Sequence, residues 1–288
     1  MKKLKNFFSV EVIMGRYLIT GGAGFIGSHI VEYLYKKSHK IRIVDNFSTG
    51  KWENIQEFTG KNVEVIEADI AWRNQLKGIM KDIEIVYHQA AIPSVPKSIK
   101  NPRATYRANV MGTLNILQAA KDAGVICVIF ASSSSVYGTA SNLPVYEDIP
   151  LKPISPYGAS KLAGEHLCRV FSEIYQLNTI CLRYFNVFGP RQDPKSQYAA
   201  VIPRFIDKML KGQQPVIYGD GFQTRDFTYI MNVVKANILA SACENNGEGI
   251  FNIASSSSRS INELVALLNT LLKTNIPPRY IKERANEP

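Results

Sequence analysis

The chain has 288 residues, 45% of them hydrophobic and 20% charged, with 19 Gly, 14 Pro and a formal charge of +10. This is ordinary globular composition, long enough for one large domain or one and a half, and no apolar run approaches the length of a membrane span. Lys and Arg are spread along the chain rather than gathered in a stripe with aromatics, so the charge argues for a solvated surface and an acidic small substrate rather than nucleic acid.

Residues 1–14 imitate a basic signal region, but the apolar stretch is interrupted by Glu11 and no small-residue cleavage site follows. They are expected to be an extension before the fold, and Met14-Gly15-Arg16-Tyr17 would make an equally sensible start. Strand-like runs then occur at Arg16–Thr20, Lys40–Val44, Val63–Glu67, Ile83–His88, Val125–Ser132 and Thr179–Tyr184. Helical patterns lie between most of them, at Gly27–Lys37, Trp72–Lys81, Pro102–Ala123 and Pro156–Tyr175. Such alternation predicts a Rossmann-type α/β fold, a doubly wound parallel sheet covered on both faces. After Gly189-Pro190-Arg191 the rhythm breaks, leaving a helix near Pro203–Lys211 and strands at Val216–Tyr218 and Ile250–Ala254. The expected organisation is therefore a dinucleotide domain over 15–187 and a smaller C-terminal substrate-binding cap over 188–288, with the strand near 250–254 placed to return to the main sheet. The four cysteines, Cys127, Cys168, Cys181 and Cys243, show no CxxC and no histidine at ligand spacing. Structural thiols in a reducing cytoplasm, and no metal, are the expectation.

Leu18-Ile19-Thr20-Gly21-Gly22-Ala23-Gly24-Phe25-Ile26-Gly27 places three spaced glycines between a strand and a helix. Glycines there permit a tight turn and a close approach of backbone to a pyrophosphate, while the helix N-terminus offers N–H donors. Gly-rich runs alone are often plain turns. The context decides: Asp45 stands at the end of the second strand, where a carboxylate accepts from a ribose 2′-OH and repels a 2′-phosphate, which favours NAD over NADP. Gly21, Gly24, Phe25, Ile26 and Gly27 are thus candidate pyrophosphate contacts, with Asn46 and Ser48 as ribose neighbours. Asp69 and Ile70 suit adenine, and Gln89, Ala90 and Ala91 end the fourth strand along the cofactor's path. His88, at the end of a buried strand with no acid partner near in sequence, reads as structural.

In Ser155-Pro156-Tyr157-Gly158-Ala159-Ser160-Lys161, Ser155 suits an N-cap and Pro156 the first helical position. Tyr157 and Lys161 then share one helix face. A free phenol ionises near pH ~10, too high for a base at neutrality, and a fixed ammonium is expected to bring it down. A lone YxxxK is common by chance, but here it follows Ser132-Ser133-Ser134-Ser135 at the carboxyl end of an apolar strand, where ligands of open α/β sheets lie.

With these motifs in order, the sequence resembles the extended short-chain dehydrogenases and, within them, the nucleotide-sugar 4-epimerases. The resemblance runs from Tyr17 to about Asn269 and rests on TGGAGFIGSH, DNFSTG, HQAA, ASSSSVYG, SPYGASK, LRYFNVFGPRQDP, YGDG and RDF. HQAAIPSVPKSIKNP and RQDPKSQYAAVIPRF look most like the branch acting on UDP-N-acetylhexosamines. The resemblance implies catalysis by Tyr157 with Ser133 as its hydroxyl partner and Lys161 on the nicotinamide ribose. It implies cofactor-side positions for Asn109, Tyr184 and Val187. Ser134 and Ser135 would line the sugar, where related dehydratases keep an Asp-Glu pair that this chain lacks. Ser94 and Asn186 become substrate contacts, Ala200 and Val201 flank the nucleotide, Val216 and Tyr218 hold uracil, and Arg225 grips the diphosphate. The implied activity is inversion of C4 of a UDP-hexose or UDP-N-acetylhexosamine through a 4-keto sugar, in a homodimer paired through helices Pro102–Ala123 and Pro156–Tyr175. The rivals are a UDP-glucuronate 4-epimerase or decarboxylase, and an NAD-binding protein without catalysis. The family usually continues past Ala285-Asn286-Glu287-Pro288 with a Gly-Asp-containing segment, so the resemblance implies an incomplete cap.

Overall fold

The computed structural model describes residues 15–139, 143–194, 200–242 and 248–282. The expected extension over 1–14, Cys243 and the end at 285–288 lie outside them. Among the described residues no helix is long and apolar enough to cross a membrane.

Seven strands form one parallel sheet: β1 (Arg16–Thr20), β2 (Lys40–Asp45), β3 (Val63–Glu67), β4 (Ile85–His88), β5 (Cys127–Ser133), β6 (Asn178–Tyr184) and β11 (Glu248–Ile253). Their order is β11-β6-β5-β4-β1-β2-β3, so the winding direction reverses between β1 and β4. β5 is buried along its whole length, as its apolar run requires of a strand covered on both faces. One layer of helices holds α1 (Phe25–Lys36). The sequence also predicted one helix over Pro102–Ala123. The chain instead makes α2 (Val95–Lys100), α3 (Pro102–Tyr106), a π-helical turn at Arg107–Met111 and α4 (Gly112–Asp122), followed after β5 by α5 (Pro156–Tyr175).

The helix expected over Trp72–Lys81 is not formed. A 3₁₀ turn covers Arg73–Leu76, and Gly78 (φ +79°) and Asp82 (φ +60°) then take left-handed conformations. Leu76, Ile79, Met80 and Ile83 are all buried, so the spacing that imitates a helix belongs to a loop pressed onto the core.

Beyond β6 the chain makes β7 (Val187–Phe188), α6 (Val201–Leu210), β8 (Val216–Tyr218), β9 (Thr224–Asp226), β10 (Thr228–Tyr229) and α7 (Ile230–Ser241). After β11 come β12 (Ser258–Ser260), α8 (Ile261–Leu272) and β13 (Arg279–Ile281). Three two-stranded ribbons form, β7-β10, β9-β12 and β8-β13; Ile217 of β8 joins Phe205, Met209, Leu264, Val265 and Leu268 in a second core, whereas Val187 of β7 packs on the first. α7 does not join that core. Ile230, Val233, Val234 and Ile238 bury against the main sheet with Ile30 and Leu34 of α1, and β11 pairs with β6 beside it. The described residues after 187 are thus shared between the two cores, with α7 and β11 packed into the sheet unit, β11 being the strand expected to return there.

α5 lies close on β5 because glycine faces the strand. An added Cβ at Gly164 would stand 2.3 Å from Cζ of Phe130, whose ring is buried and cannot swing aside. Gly164→Ala should cost about 1–3 kcal/mol by overpacking, read as a lower urea midpoint with unchanged slope. An unchanged midpoint would show that α5 can lift from the sheet.

Candidate active site

The β1–α1 turn is built by close contacts. Gly21 has φ +68°, and a Cβ on it would lie 2.7 Å from the Ala90 Cα, while a Cβ on Gly27 would lie 2.2 Å from the Gly21 carbonyl oxygen. Gly24 differs. A Cβ there would meet only the Gly21 carbonyl oxygen, at 3.1 Å. Protein packing does not demand glycine at this position, and it is the N-cap of α1 with no side chain bonded to the first turn. A bare backbone at a helix N-terminus on the wall of a cleft fits a pyrophosphate. Asp45 completes the fit. Its carboxylate accepts from the Ala23 and Phe47 amides, each at 2.9 Å, while burial, the larger effect, raises its pKa.

These groups line a cleft of about 490 Å³ at the carboxyl ends of β1, β2 and β4. Of the residues expected around the cofactor, all but Asn109 and Val187 line it. Asn109 is buried behind the wall, where its amide accepts from the Ile92 N–H at 2.8 Å and donates to Ser160 Oγ at 2.9 Å, bracing the loop after β4 against α5. Val187 lines a second cleft, of about 450 Å³. That cleft also takes in Ser94, Ser135, Asn186, Ala200, Val201, Val216, Tyr218 and Arg225, but not Ser134. The two clefts meet at Pro93 and Tyr157, which line both.

Tyr157 is set by its helix start: Ser155 Oγ accepts from the Gly158 N–H at 3.1 Å, and Ser98 Oγ accepts from the N–H of Tyr157 itself at 3.0 Å. Its hydroxyl shares a hydrogen bond with Ser133, whose Oγ also accepts from the Ser135 N–H at 3.2 Å. One turn on, the Lys161 ammonium donates to the Ala131 carbonyl at 2.7 Å and lies 5.0 Å from the centre of the Phe130 ring. Burial pulls Lys161 down to about 8, against the pull of Cys168 and Glu165. Burial raises the Tyr157 phenol, and the Ser133 hydrogen bond works against the rise. This corrects the expectation that the ammonium brings the phenol down: at rest the ammonium is bound to a carbonyl, and desolvation dominates.

His88 is structural, as its sequence position suggested. It is buried between Thr20 Oγ1, 2.6 Å from Nδ1, and Thr113 Oγ1, 2.9 Å from Nε2. Thr113 donates to the Asn109 carbonyl at 2.6 Å, so it accepts from Nε2–H, and Nδ1 accepts from Thr20. Burial holds this neutral ring down at about 3.

Several lining residues were missed. Lys51, Arg107, Arg191 and Asp193 border the first cleft, and Arg204 and Gln223 the second. Arg191 donates to Glu32 of α1 at 2.6 Å and Lys51 pairs with Asp193 at 3.1 Å, which ties the segment after β7 to the sheet unit. Both Arg191 and Arg204 lie in motifs quoted above, GPRQDP and VIPRF, but nothing local tells which cleft their side chains reach.

An arrangement of this kind can exchange a proton at Tyr157 with a hydroxyl in the second cleft, beside a hydride acceptor in the first. Comparison with known proteins bears directly on it. The profile of the NAD dependent epimerase/dehydratase family matches residues 17–254. The chain belongs to this family. A solved UDP-N-acetylglucosamine 4-epimerase from Methanobrevibacter ruminantium M1, in complex with UDP-N-acetylmuramic acid, superposes with a TM-score of 0.91 at 43% identity, over 95% of this chain and 87% of that one. A Thermus thermophilus UDP-glucose 4-epimerase in complex with NAD gives 0.85 at 34% identity, over 94% and 88%. The UDP-N-acetyl-alpha-D-glucosaminuronate decarboxylase of Bacillus cytotoxicus is 41% identical over 262 residues, 89% of this chain and 80% of that protein.

The neutral His88 fixes a pH dependence. Above pH ~6.5 the ring is neutral in folded and unfolded chains and contributes nothing. Below it the unfolded chain takes up a proton that the folded one refuses down to about pH 3. Stability should therefore fall with acidification by up to about 1.4 kcal/mol per pH unit from this group. Gln can donate to Thr113 and accept from Thr20, so His88→Gln should unfold in urea with a shallower loss between those limits. An equal slope would mean that His88 is not held neutral.

Proposed function

We propose that this family member is an NAD-dependent epimerase inverting C4 of a UDP-hexose or UDP-N-acetylhexosamine. The observation that carries the reading is the position of Tyr157: one ionisable hydroxyl, paired with Ser133, on the wall common to a dinucleotide cleft and a second cleft with the lining a nucleotide sugar needs. Tyr157 takes the proton of the sugar 4-hydroxyl and later returns it, with Ser133 sharing that proton. Lys161 would hold the nicotinamide ribose, and Asp45 would accept from the adenosine ribose, which favours NAD over NADP. When bound, NAD supplies a reversible hydride acceptor. Loss of a proton from O4 and a hydride from C4 leaves a 4-ketone. Turning of the ketosugar about its diphosphate linkage presents the other face, and return of both inverts the carbon without net oxidation.

A uronate substrate, which the decarboxylase relative suggests, asks for a cation at the sugar end. Among the described residues the cations lining the second cleft are Arg204 and Arg225. Arg204 lies 5.8 Å from the centre of the Tyr218 ring, at the base end, and Arg225 is assigned to the diphosphate. Hydroxyl and amide groups of Ser94, Ser135, Tyr157 and Asn186 are left for the sugar, which supports a neutral one.

We also infer a homodimer. Met111 before α4, and Val170 and Ile174 on α5, expose their apolar side chains, which supports pairing through these helices. Wild-type protein should sediment as a dimer, and Val170→Glu with Ile174→Glu as a monomer. A monomeric wild type would remove this inference.

The decisive measurement follows product stereochemistry by NMR with UDP-glucose and UDP-N-acetylglucosamine. Tyr157→Phe should keep the fold and NAD while losing about 10²–10⁴-fold in rate. Wild-type turnover in Tyr157→Phe would place the proton transfer elsewhere.

A further inference from the structure

Tyr157, Lys161 and Glu165 follow one another at four-residue steps on one face of α5, and each reaches a different one of the last three residues of β5. Tyr157 shares its hydrogen bond with the Ser133 side chain, Lys161 donates to the Ala131 carbonyl at 2.7 Å, and Glu165 accepts from Ser132 Oγ at 2.5 Å. The first two contacts belong to the reaction described above. The third is made by a carboxylate that touches neither cleft, with 2% of its side chain exposed.

Glu165 is also fixed from the other side. Arg183 of β6 stands opposite Ser132 in the strand register, and its fork grips both carboxylate oxygens, Nε to Oε1 at 2.9 Å and Nη2 to Oε2 at 2.8 Å. Nη1 continues to the Tyr137 hydroxyl at 2.7 Å and the Glu147 carbonyl at 3.1 Å, and Tyr137 donates to Asn252 of β11 at 2.6 Å. A buried ion pair by itself is weak support for stability, since well-packed apolar residues often do as well. What apolar residues would not reproduce is a carboxylate oxygen bonded to the residue beside Ser133, one turn from Lys161.

We propose that Glu165 is a positioning residue for proton transfer: through Ser132 it fixes the end of β5, and so the Ser133–Tyr157 hydrogen bond, and its charge holds the Lys161 ammonium in place. The inference rests on Tyr157 being the acid–base group. The groups acting on Lys161 are Glu165 and Cys168 on its own helix, His88 on β4, Cys181 on β6, and from β5 the Ala131 carbonyl and the Phe130 ring; Tyr157 lines the same cleft, and Arg183 of β6 is engaged with Glu165. Among these described groups Glu165 is the one carboxylate. Burial already disfavours the ammonium. Without the carboxylate, Lys161 loses its proton at lower pH, and the alkaline limb of the rate profile moves down.

The test uses UDP-N-acetylglucosamine turnover across pH, after wild type and Tyr157→Phe have established the underlying reaction. Glu165→Gln alone leaves Arg183 without its counter-charge, so the informative protein is the double variant Glu165→Gln with Arg183→Met, which removes both charges and keeps an acceptor for Ser132. It should melt near the wild-type temperature, yet its alkaline limb should move down by about one pH unit and its kcat should fall about tenfold with little change in KM. A folded double variant with wild-type kcat and limb would reduce Glu165 to a purely structural part. Ser132→Ala, which leaves the ion pair intact, decides the matter if the double variant does not fold: kcat should fall several-fold with melting unchanged, and full kcat would overturn the proposal. Wild-type rate in Tyr157→Phe would instead sink the reading beneath it, whatever Glu165 does.

Discussion

The backbone packing of the Gly21 turn on Ala90, just past the ends of the paired strands β1 and β4, sets the geometry of everything above it. Gly21 turns beneath Ala90 so closely that a Cβ would stand 2.7 Å from the Ala90 backbone, and the Ala90 N–H donates to Thr20 Oγ1 at 3.2 Å. Thr20 in turn bonds His88, which reaches Thr113 and, through it, Asn109. The direction reversal of the sheet lies at this place, so the loops after β1 and β4 leave to opposite sides and open the first cleft between them. A chain of buried polar groups thus spans from the glycine turn to α4, and Asn109 carries it on to Ser160 of the helix that bears Tyr157. Adding one methyl group at Gly21 would therefore be felt at the catalytic hydroxyl.

The same burial governs the chemistry. It pushes the Tyr157 phenol up and the Lys161 ammonium down to about 8, so burial opposes charge on both groups while Lys161 keeps its proton at neutral pH. Low dielectric acts in both senses, since it penalises a lone charge and strengthens the field of any charge placed nearby. Charge is therefore admitted where it is matched: Glu165 with Arg183, and Asp45 with two backbone amides. His88, without such a match, is kept neutral and used as a bridge.

How much of this could be read in the sequence depended on the range of the interactions. β1 to β6, the glycine turn, Asp45 and the Tyr157–Lys161 helix are specified by neighbours within a few residues, and each was found within a residue or two of its expected bounds. The false helix at Trp72–Lys81 arose because burial of Leu76, Ile79, Met80 and Ile83 against the core produces helical spacing, while Gly78 carries the contrary signal alone. α8 was missed although Ser260 and Glu263 form a capping box that the sequence displays. α7 was missed for a different reason, since its N-cap, Tyr229, makes no side-chain bond and its start has no local mark. Asn109 was placed on the cofactor side by resemblance, and the distinction between touching a ligand and bracing the wall behind it exists only in three dimensions.

The return of the chain to the sheet unit through α7 and β11 is what joins the two clefts into one site. Asn237 of α7 is fully buried, and its amide donates to the Tyr184 hydroxyl at 2.8 Å while its oxygen accepts from Gln89 at 3.1 Å. Tyr184 and Gln89 both line the first cleft, so a helix contributed from beyond residue 187 fixes two of its walls. From the opposite direction, Arg191 and Asp193 reach back to Glu32 and Lys51. The polypeptide therefore crosses between the two units at β7, α7 and β11, and the crossings at β7 and α7 carry ion pairs and hydrogen bonds to groups that line the first cleft. A cap tethered by a single linker could open and close as a body, whereas one woven in this way holds its cleft in register with the dinucleotide cleft. That register is what a hydroxyl shared by both clefts requires, because Tyr157 has to stay within reach of the sugar while the ketosugar turns.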